Sequence, residues 1–319
     1  MAGFERSDLH GLEWHADGLS WLILLVCPLL TSPRRHPTAI SSEWSMTITT
    51  NSDDERFRAG AEKYASYLET REGRLRMDLT FLNLQEFLPV ENRESLRALD
   101  VGCGTGAMAV RLAQLGPHVT VVDSSFAMLE IAKGTVRKAG LEGKVGFENS
   151  TAEELANSFL AGSFDFILCH NLLEYVDDPT SVLAGIAALM RDSSAVFSVL
   201  VRNQAGEVFK AALGAGDLTA AENNLGAGWG QESLYGGRVR LFTPEGLETM
   251  LERASLTVIA MRGVRVIADY LGPATSCASQ YQQVLELESK LGARPEFAAV
   301  ARYTHCLARR TSQPIEGGR

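Results

Sequence analysis

The chain has 319 residues, a formal net charge of −9, 45% hydrophobic residues and 22% charged residues. That length buries a large core as one elaborated domain or two, and the composition excludes a disordered or fibrous chain in favour of a globular enzyme. The acidic balance argues against broad, sequence-independent nucleic-acid binding, although an acidic protein can still carry a local basic patch.

Residues 1–50 read as an extension foreign to the fold. The apolar run LSWLILLVCPLL (19–30) falls short of the roughly 20 residues a membrane span needs. Glu5, Asp8, Glu13 and Asp17 precede it against Arg6, the wrong sign for the positive leader of a signal peptide. The expectation is a start at Met46, with residues 1–45 outside the fold and no membrane partner. The folded domain is expected over 51–312, with a disordered tail at 313–319.

Helical sequence runs from about residue 57 to about 88, with Tyr64, Tyr67 and Leu68 on one possible face. LRALDVGC, from Leu96, reads as a buried strand entering a glycine turn, followed by a helix over 105–115. HVTVVD is a strand, SSFAMLEIAKGTVRKAG a helix opened by a serine cap, KVGFEN a strand and TAEELANSFL a helix. FDFILCH is a strand, DDPTSVLAGIAALMRD a helix with proline near its start, and SAVFSVLVRN a strand. TPEGLETMLERAS is a capped helix, LTVIAMRGVRVI a strand, and AVARYTHCLARR an edge or antiparallel strand. Seven strands alternating with helices predict an α/β fold with a doubly wound, mostly parallel, Rossmann-like sheet.

Two stretches exceed that minimal pattern, one at about 204–241 and one at about 269–297. Each follows a strand and precedes the next regular element. Both are therefore expected to rise from the carboxyl edge of the sheet, where ligands bind, and to cap the site.

The strongest local signal is Asp100-Val101-Gly102-Cys103-Gly104-Thr105-Gly106 between a strand and a helix. Glycines permit the tight turn and bring backbone close to a ligand. Asp123 closes the next strand, where a carboxylate can accept both hydroxyls of a ribose. Gly102, Gly104 and Ala107 also satisfy the degenerate G-x-G-x-x-A form, so these residues alone leave a dinucleotide site open. The cysteines Cys27, Cys103, Cys169, Cys277 and Cys306 show neither CxxC pairing nor zinc spacing. No metal is expected, and the thiols suit a reducing cytoplasm.

The ordered set LDVGCGTG, VVDSS, AEEL and FDFILCHNLLEYV, within residues 74–202, resembles the motifs of class I S-adenosylmethionine-dependent methyltransferases. The resemblance implies that cofactor. It assigns Asp100, Gly102, Cys103 and Gly104 to the glycine loop, Asp123 to the ribose and Ala152 with Glu153 to the adenine. His170 would face the sulfonium. No NPPY-type amine clamp follows the fourth strand, and no catalytic cysteine pair is present. A carboxylate acceptor, ionised at neutral pH with a reference pKa of about 4, needs neither.

Over residues 52–312 the chain further resembles the bacterial tRNA 5-carboxymethoxyuridine methyltransferases. The segments are EGRLRMDLTFLNL, HNLLEYVDDPTSVL, VRNQAGEVFKAALGAGD, TPEGLETMLERASL, GVRVIADYL, YQQVLELESK and ARYTHCLARR. The resemblance implies a tRNA anticodon loop as partner and gives Arg76 a role in holding the cofactor. A small-molecule acid or hydroxyl compound is the alternative substrate, favoured by GAGWGQESLYGGRVR standing where the family usually has a lysine run. Arg202, Arg265, Asp269, Tyr270, Arg302, Tyr303 and His305 are the candidate substrate contacts. Of these, Arg265, Tyr270, Arg302 and Tyr303 are expected to position it, the tyrosines by stacking on a base. His305 reads as structural. Trp229 is a lid contact or local packing, and Arg309-Arg310 a solvated end.

Overall fold

The computed structural model describes residues 52–89, 91–232, 234–272 and 278–311. The expected N-terminal extension and C-terminal tail lie outside the described residues. Two helices open the fold, α1 (Ser52–Leu68) and α2 (Arg71–Gln85), separated where Thr70 caps α2 by accepting the Gly73 amide. Besides Leu75, Leu79 and Leu84, α2 buries Arg76, Thr80 and Asn83 at helical spacing, so one stripe of this helix is polar and inward.

The chain then alternates as its periodicity predicts. β1 (Arg97–Val101), α3 (Ala107–Gln114), β2 (His118–Asp123), α4 (Phe126–Lys138) and β3 (Val145–Asn149) form the first half. α5 (Leu155–Ser158), β4 (Phe166–His170), α6 (Pro179–Leu189) and β5 (Val196–Arg202) form the second. Asp178 caps α6 on the amides of Thr180 and Ser181, with Pro179 in its first turn. The first insertion supplies α7 (Gln204–Phe209), α8 (Leu218–Asn224) and a hairpin of β6 (Trp229–Gln231) and β7 (Arg238–Arg240). α9 (Pro244–Arg253), β8 (Leu256–Val264), α10 (Tyr281–Gly292), α11 (Pro295–Ala298) and β9 (Tyr303–Arg310) complete the chain.

The main sheet has seven strands in the order β3-β2-β1-β4-β5-β9-β8. β1 to β5 pair in parallel, and β9 runs antiparallel between β5 and β8. Successive strand residues feed opposite layers. Leu99, Val101, Ile167, Phe197 and Val199 pack with residues of α6 and α9, such as Leu183 and Leu247, whereas Ala98, Leu168 and Val196 pack with residues of α2, α3 and α4, such as Leu84, Leu112 and Leu129. The strand order reverses between β1 and β4, so the crevice of such a sheet opens beyond the carboxyl ends of those two strands.

Two boundaries differ from the sequence reading. β8 stops at Val264 and does not reach Ile267, because Arg265 turns into the left-handed region (φ 61°) and the next three amides are claimed by one carboxylate. Glu288 of α10 accepts from Val266, Ile267 and Ala268 at 2.6, 2.9 and 2.6 Å. The last strand begins at Tyr303, not Ala299, because Pro295 starts the short α11. This strand is interior, between β5 and β8, leaving β8 at the edge. Among the described residues no helix is long and apolar enough to cross a membrane, and no cluster of His, Cys, Asp or Glu is arranged to hold a metal.

Candidate functional site

The turn after β1 is built by glycine. Gly102, Gly104 and Gly106 all have positive φ (70°, 53° and 71°), and a Cβ on Gly102 would stand 2.9 Å from Leu172 Cδ1. An L side chain there is strained by its backbone and obstructed by its neighbour. The turn is tied to the end of β2: Asp123 Oδ2 accepts from the Gly104 amide and Oδ1 from the Ser125 amide, each at 2.9 Å. These two ends form the floor of a cleft enclosing about 780 Å³ with its open mouth.

His170, Asn171, Leu172 and Tyr175 line one side of the cleft, and Ser124, Met128, Ser150 and Ala152 another. Phe57 and Tyr64 of α1 with Glu232, Leu234 and Tyr235 of the hairpin close it from above. A narrower recess of about 420 Å³ adjoins it and shares Tyr64, Arg76, Gly102, His170 and Asn171. Asp100, Cys103 and Thr105 line this recess. Asp100 Oδ2 is buried without a hydrogen-bond partner. Burial, helped by the charge of Asp123, raises the Asp100 carboxyl to about 7. Arg76 faces both spaces, donating to Asn171 Oδ1 (3.0 Å) and Tyr64 Oη (2.9 Å) beneath the rings of Tyr64 and Tyr67. No carboxylate among the described residues forms an ion pair with it.

Behind the recess, His170 and His305 are bridged by Ser198 Oγ, which lies 2.8 Å from Nε2 of each ring. Asn83 Nδ2 stands 3.2 Å from His305 Nδ1. Burial, with the charge of Arg76 adding, lowers His170 to about 3. Burial first, then His170 and Arg262, lower His305 well below the usual imidazole range. Both rings are therefore neutral.

Next to this lies a buried cluster of charge. Arg202 Nη1 and Arg302 Nη1 meet Glu207 Oε1 at 3.4 and 2.6 Å, and Arg265 Nε donates to Asp269 Oδ1 at 2.7 Å. The guanidiniums of Arg76, Arg265 and Arg302 stand 5.6, 5.9 and 5.8 Å from the Tyr303 ring centroid. Burial opposes ionisation of Tyr303, but Arg76, Arg202, Arg265 and Arg302 together pull its phenol down to about 7.

The methyltransferase domain family profile matches residues 67–261. The chain belongs to this family. Solved methyltransferases share its architecture: an S-adenosylmethionine-dependent methyltransferase of Thermotoga maritima superposes with a TM-score of 0.54 at 18% identity, covering 81% of this chain and 99% of that one. A Burkholderia thailandensis 1,6-didemethyltoxoflavin-N1-methyltransferase, solved with S-adenosylhomocysteine, gives 0.50 at 19% identity over 88% and 94%. By sequence, the chain is 28% identical to the tRNA 5-carboxymethoxyuridine methyltransferase of Escherichia coli (strain K12) over 267 residues, 81% of this chain and 97% of that protein. It is 40% identical to the ubiquinone biosynthesis O-methyltransferase of Aromatoleum aromaticum over 120 residues, 37% of this chain and half of that protein. The enzyme is an S-adenosylmethionine-dependent methyltransferase with the class I fold.

Within this methyltransferase, the sequence-derived residues Arg76, Asp100, Gly102, Cys103, Gly104, Asp123, Ala152 and His170 line the cleft and its recess, and Arg202 joins them. Glu153 does not: it is exposed in the short turn after β3. Arg265, Arg302 and Tyr303, expected to position the substrate, lie in a buried layer, each less than a tenth exposed and lining neither space. Tyr303 lies under three guanidiniums and has no face open to a base. Tyr270 is half-buried and also lines neither space. The first insertion closes over the cleft through Glu232, Leu234 and Tyr235, whereas α10 of the second packs on β8 and α2. Asn171, Tyr175 and Glu232 were not singled out from sequence, and Tyr64 was read only as part of a helix face. Position could have found Asn171 and Tyr175, since both fall just past the carboxyl end of β4.

Proposed function

We propose that the enzyme esterifies a carboxylate, that of 5-carboxymethoxyuridine in a tRNA anticodon, in the cytoplasm. One observation carries this reading: similarity to the Escherichia coli tRNA enzyme spans 97% of that protein, well beyond the cofactor half, while the O-methyltransferase match covers half of its counterpart. A small acid or hydroxyl compound as acceptor is the second reading, favoured by the net charge of −9.

The residues present fit the cofactor. Asp100 offers a buried, unpartnered carboxylate oxygen for its amino group, and Arg76, lacking an acidic partner among the described residues, offers a planar fork for its carboxylate. Asp123 and the glycine turn take the ribose, and Ala152, Ser150 and Met128 flank the base. S-adenosylmethionine supplies a methyl carbon already activated by the sulfonium.

What remains for the protein is alignment and exclusion of water. Arg202 receives the substrate carboxylate from the β5 side of the cleft. Arg202 would hold the substrate carboxylate toward that methyl group, whose transfer would leave an ester and S-adenosylhomocysteine. No base is required, in keeping with a His170 whose pKa, lowered to about 3, makes it a poor proton acceptor. Incubating the enzyme with tRNA from a strain lacking this methylation, followed by nucleoside mass analysis, tests the reading. It expects one added methyl on carboxymethoxyuridine. Turnover of a small acid with unchanged tRNA would overturn it.

A further inference from the structure

The hairpin carries a carboxylate into the cleft. Glu232 follows β6, and its side chain is 1% exposed. Its Oε2 accepts from Arg202 Nη2 and from Tyr175 Oη, the latter at 3.1 Å, and its Oε1 accepts the Leu234 amide at 2.7 Å. Burial would raise this carboxyl, but Arg202 outweighs it and holds Glu232 below its ordinary value, so it is ionised. Glu232, Arg202 and Tyr175 all line the cleft together with the glycine turn and Asp123. The remaining fork of Arg202 is already turned to Glu207.

Glu232 thus presents to Arg202 and Tyr175 the same chemical group as a carboxylate substrate. Resting on the reading that Arg202 receives the substrate carboxylate, we propose that Glu232 is a specificity-determining residue. It is an internal carboxylate that fills the receptor until a substrate carboxylate displaces it. Gln231 and Arg238 bound its turn, so Glu232 is held at high effective concentration against any free acid. A loose metabolite must compete with that tethered group, and its apparent affinity falls by the fraction of receptor left open. A carboxylate anchored through a larger molecule is itself tethered and competes on equal terms. Rejection of free acids is then built in as a competing contact, not as a missing one.

The test compares wild type with E232Q and E232A on two acceptors, intact tRNA carrying carboxymethoxyuridine and the free 5-carboxymethoxyuridine nucleoside. The expected result is a KM for the nucleoside lowered by about tenfold or more, as when a receptor open a tenth of the time is freed, with kcat retained and a smaller change for tRNA. Turnover of the nucleoside by the variants alone also supports the proposal. Amide exchange at Arg238–Arg240 should quicken in both variants without ligand. An unchanged or raised KM for the nucleoside in folded E232Q and E232A, or turnover by none of the three proteins, overturns it. R202Q separates the two readings. If R202Q leaves the KM for tRNA unchanged, the receptor assignment itself fails. If R202Q raises that KM while E232Q leaves the nucleoside unaffected, only the role of Glu232 falls.

Discussion

His170 and His305 stand edge to face with ring centroids 5.6 Å apart and share one hydroxyl, that of Ser198. His170 lines the cleft, while His305 is fully buried on the interior antiparallel strand β9. A residue of the sheet core therefore orients a residue of the site. Replacing Ser198 with Ala leaves an Nε2 on each ring facing a buried methyl group. Leaving a buried polar group unsatisfied costs about 1–3 kcal/mol. For a domain of this size, each kcal/mol lowers Tm by roughly 2–4 °C. Thermal unfolding of S198A should register that loss. A Tm within a degree of wild type would mean the bridge contributes nothing.

The two imidazoles also set an acid limit. Their folded pKa values are depressed, so the unfolded chain takes up protons that the folded one refuses. The stability they confer is present above the unfolded histidine value of about 6.5 and is lost as pH falls from there toward the folded His170 value of about 3. Denaturant titrations at pH 7 and pH 5 should give lower stability at pH 5, and H305N should shrink the difference. An equal difference in wild type and H305N would remove His305 from the account.

The strands and their order of alternation were legible because burial on both faces makes each parallel strand a short apolar run. The glycine turn and Asp123 were legible because backbone geometry and a carboxylate at a strand end leave a local mark. What escaped the sequence was depth. Arg265 and Arg302 sit at the carboxyl edge as their positions imply, but Asp269 and Glu207, distant in sequence from one or both, draw them inward. The pairs of Arg302 depend on which strand lies next to which, and no local pattern encodes them; Arg265 and Asp269 are only four residues apart, but the burial of that pair is set by the same packing. Glu232 was hidden for the same reason: its partner Arg202 is 30 residues away on another element.

Asp100 predicts a pH dependence of cofactor binding. With its carboxyl raised to about 7 by burial and by Asp123, it is largely protonated in the free enzyme below that pH. An ammonium group beside it favours the carboxylate. Affinity for S-adenosylhomocysteine should therefore rise with pH up to about 7 and then level off, with proton release on binding at lower pH. Calorimetry in buffers of different ionisation enthalpy reads that release directly. D100N should bind more weakly and without the slope. A slope surviving in D100N would assign the titration elsewhere.

Arg76 should matter through its shape as much as its charge. It reaches Asn171 and Tyr64 with separate nitrogens while stacking near Tyr67. Lysine keeps the charge but has no planar fork to serve a carboxylate and two neutral partners together. Charge-assisted hydrogen bonds contribute about 1.5–3 kcal/mol, so R76K should weaken S-adenosylhomocysteine binding by roughly ten- to a hundredfold. Near-normal affinity in folded R76K would exclude Arg76 from the cofactor.

The exposed face of the hairpin bears on the substrate. Trp229 and Arg240 are cross-strand partners, and the guanidiniums of Arg238 and Arg240 each stand 4.8 Å from the Trp229 ring centroid. The opposite face is anchored by fully buried Val239. Two positive charges and an indole are thus held on the outer side of a roof whose inner side closes the cleft. They lie in the stretch where resemblance to the tRNA enzymes leads one to expect lysines. If an RNA strand crosses here, each arginine neutralises about one phosphate. Losing both should then flatten the dependence of log affinity on log salt by about 1.4, at about 0.7 per phosphate of a single strand. Methylation kinetics of R238A/R240A on tRNA between low and moderate salt measures this slope. The double variant should raise KM at low salt and leave cofactor affinity unchanged. A slope equal to that of wild type would move the RNA path away from the hairpin.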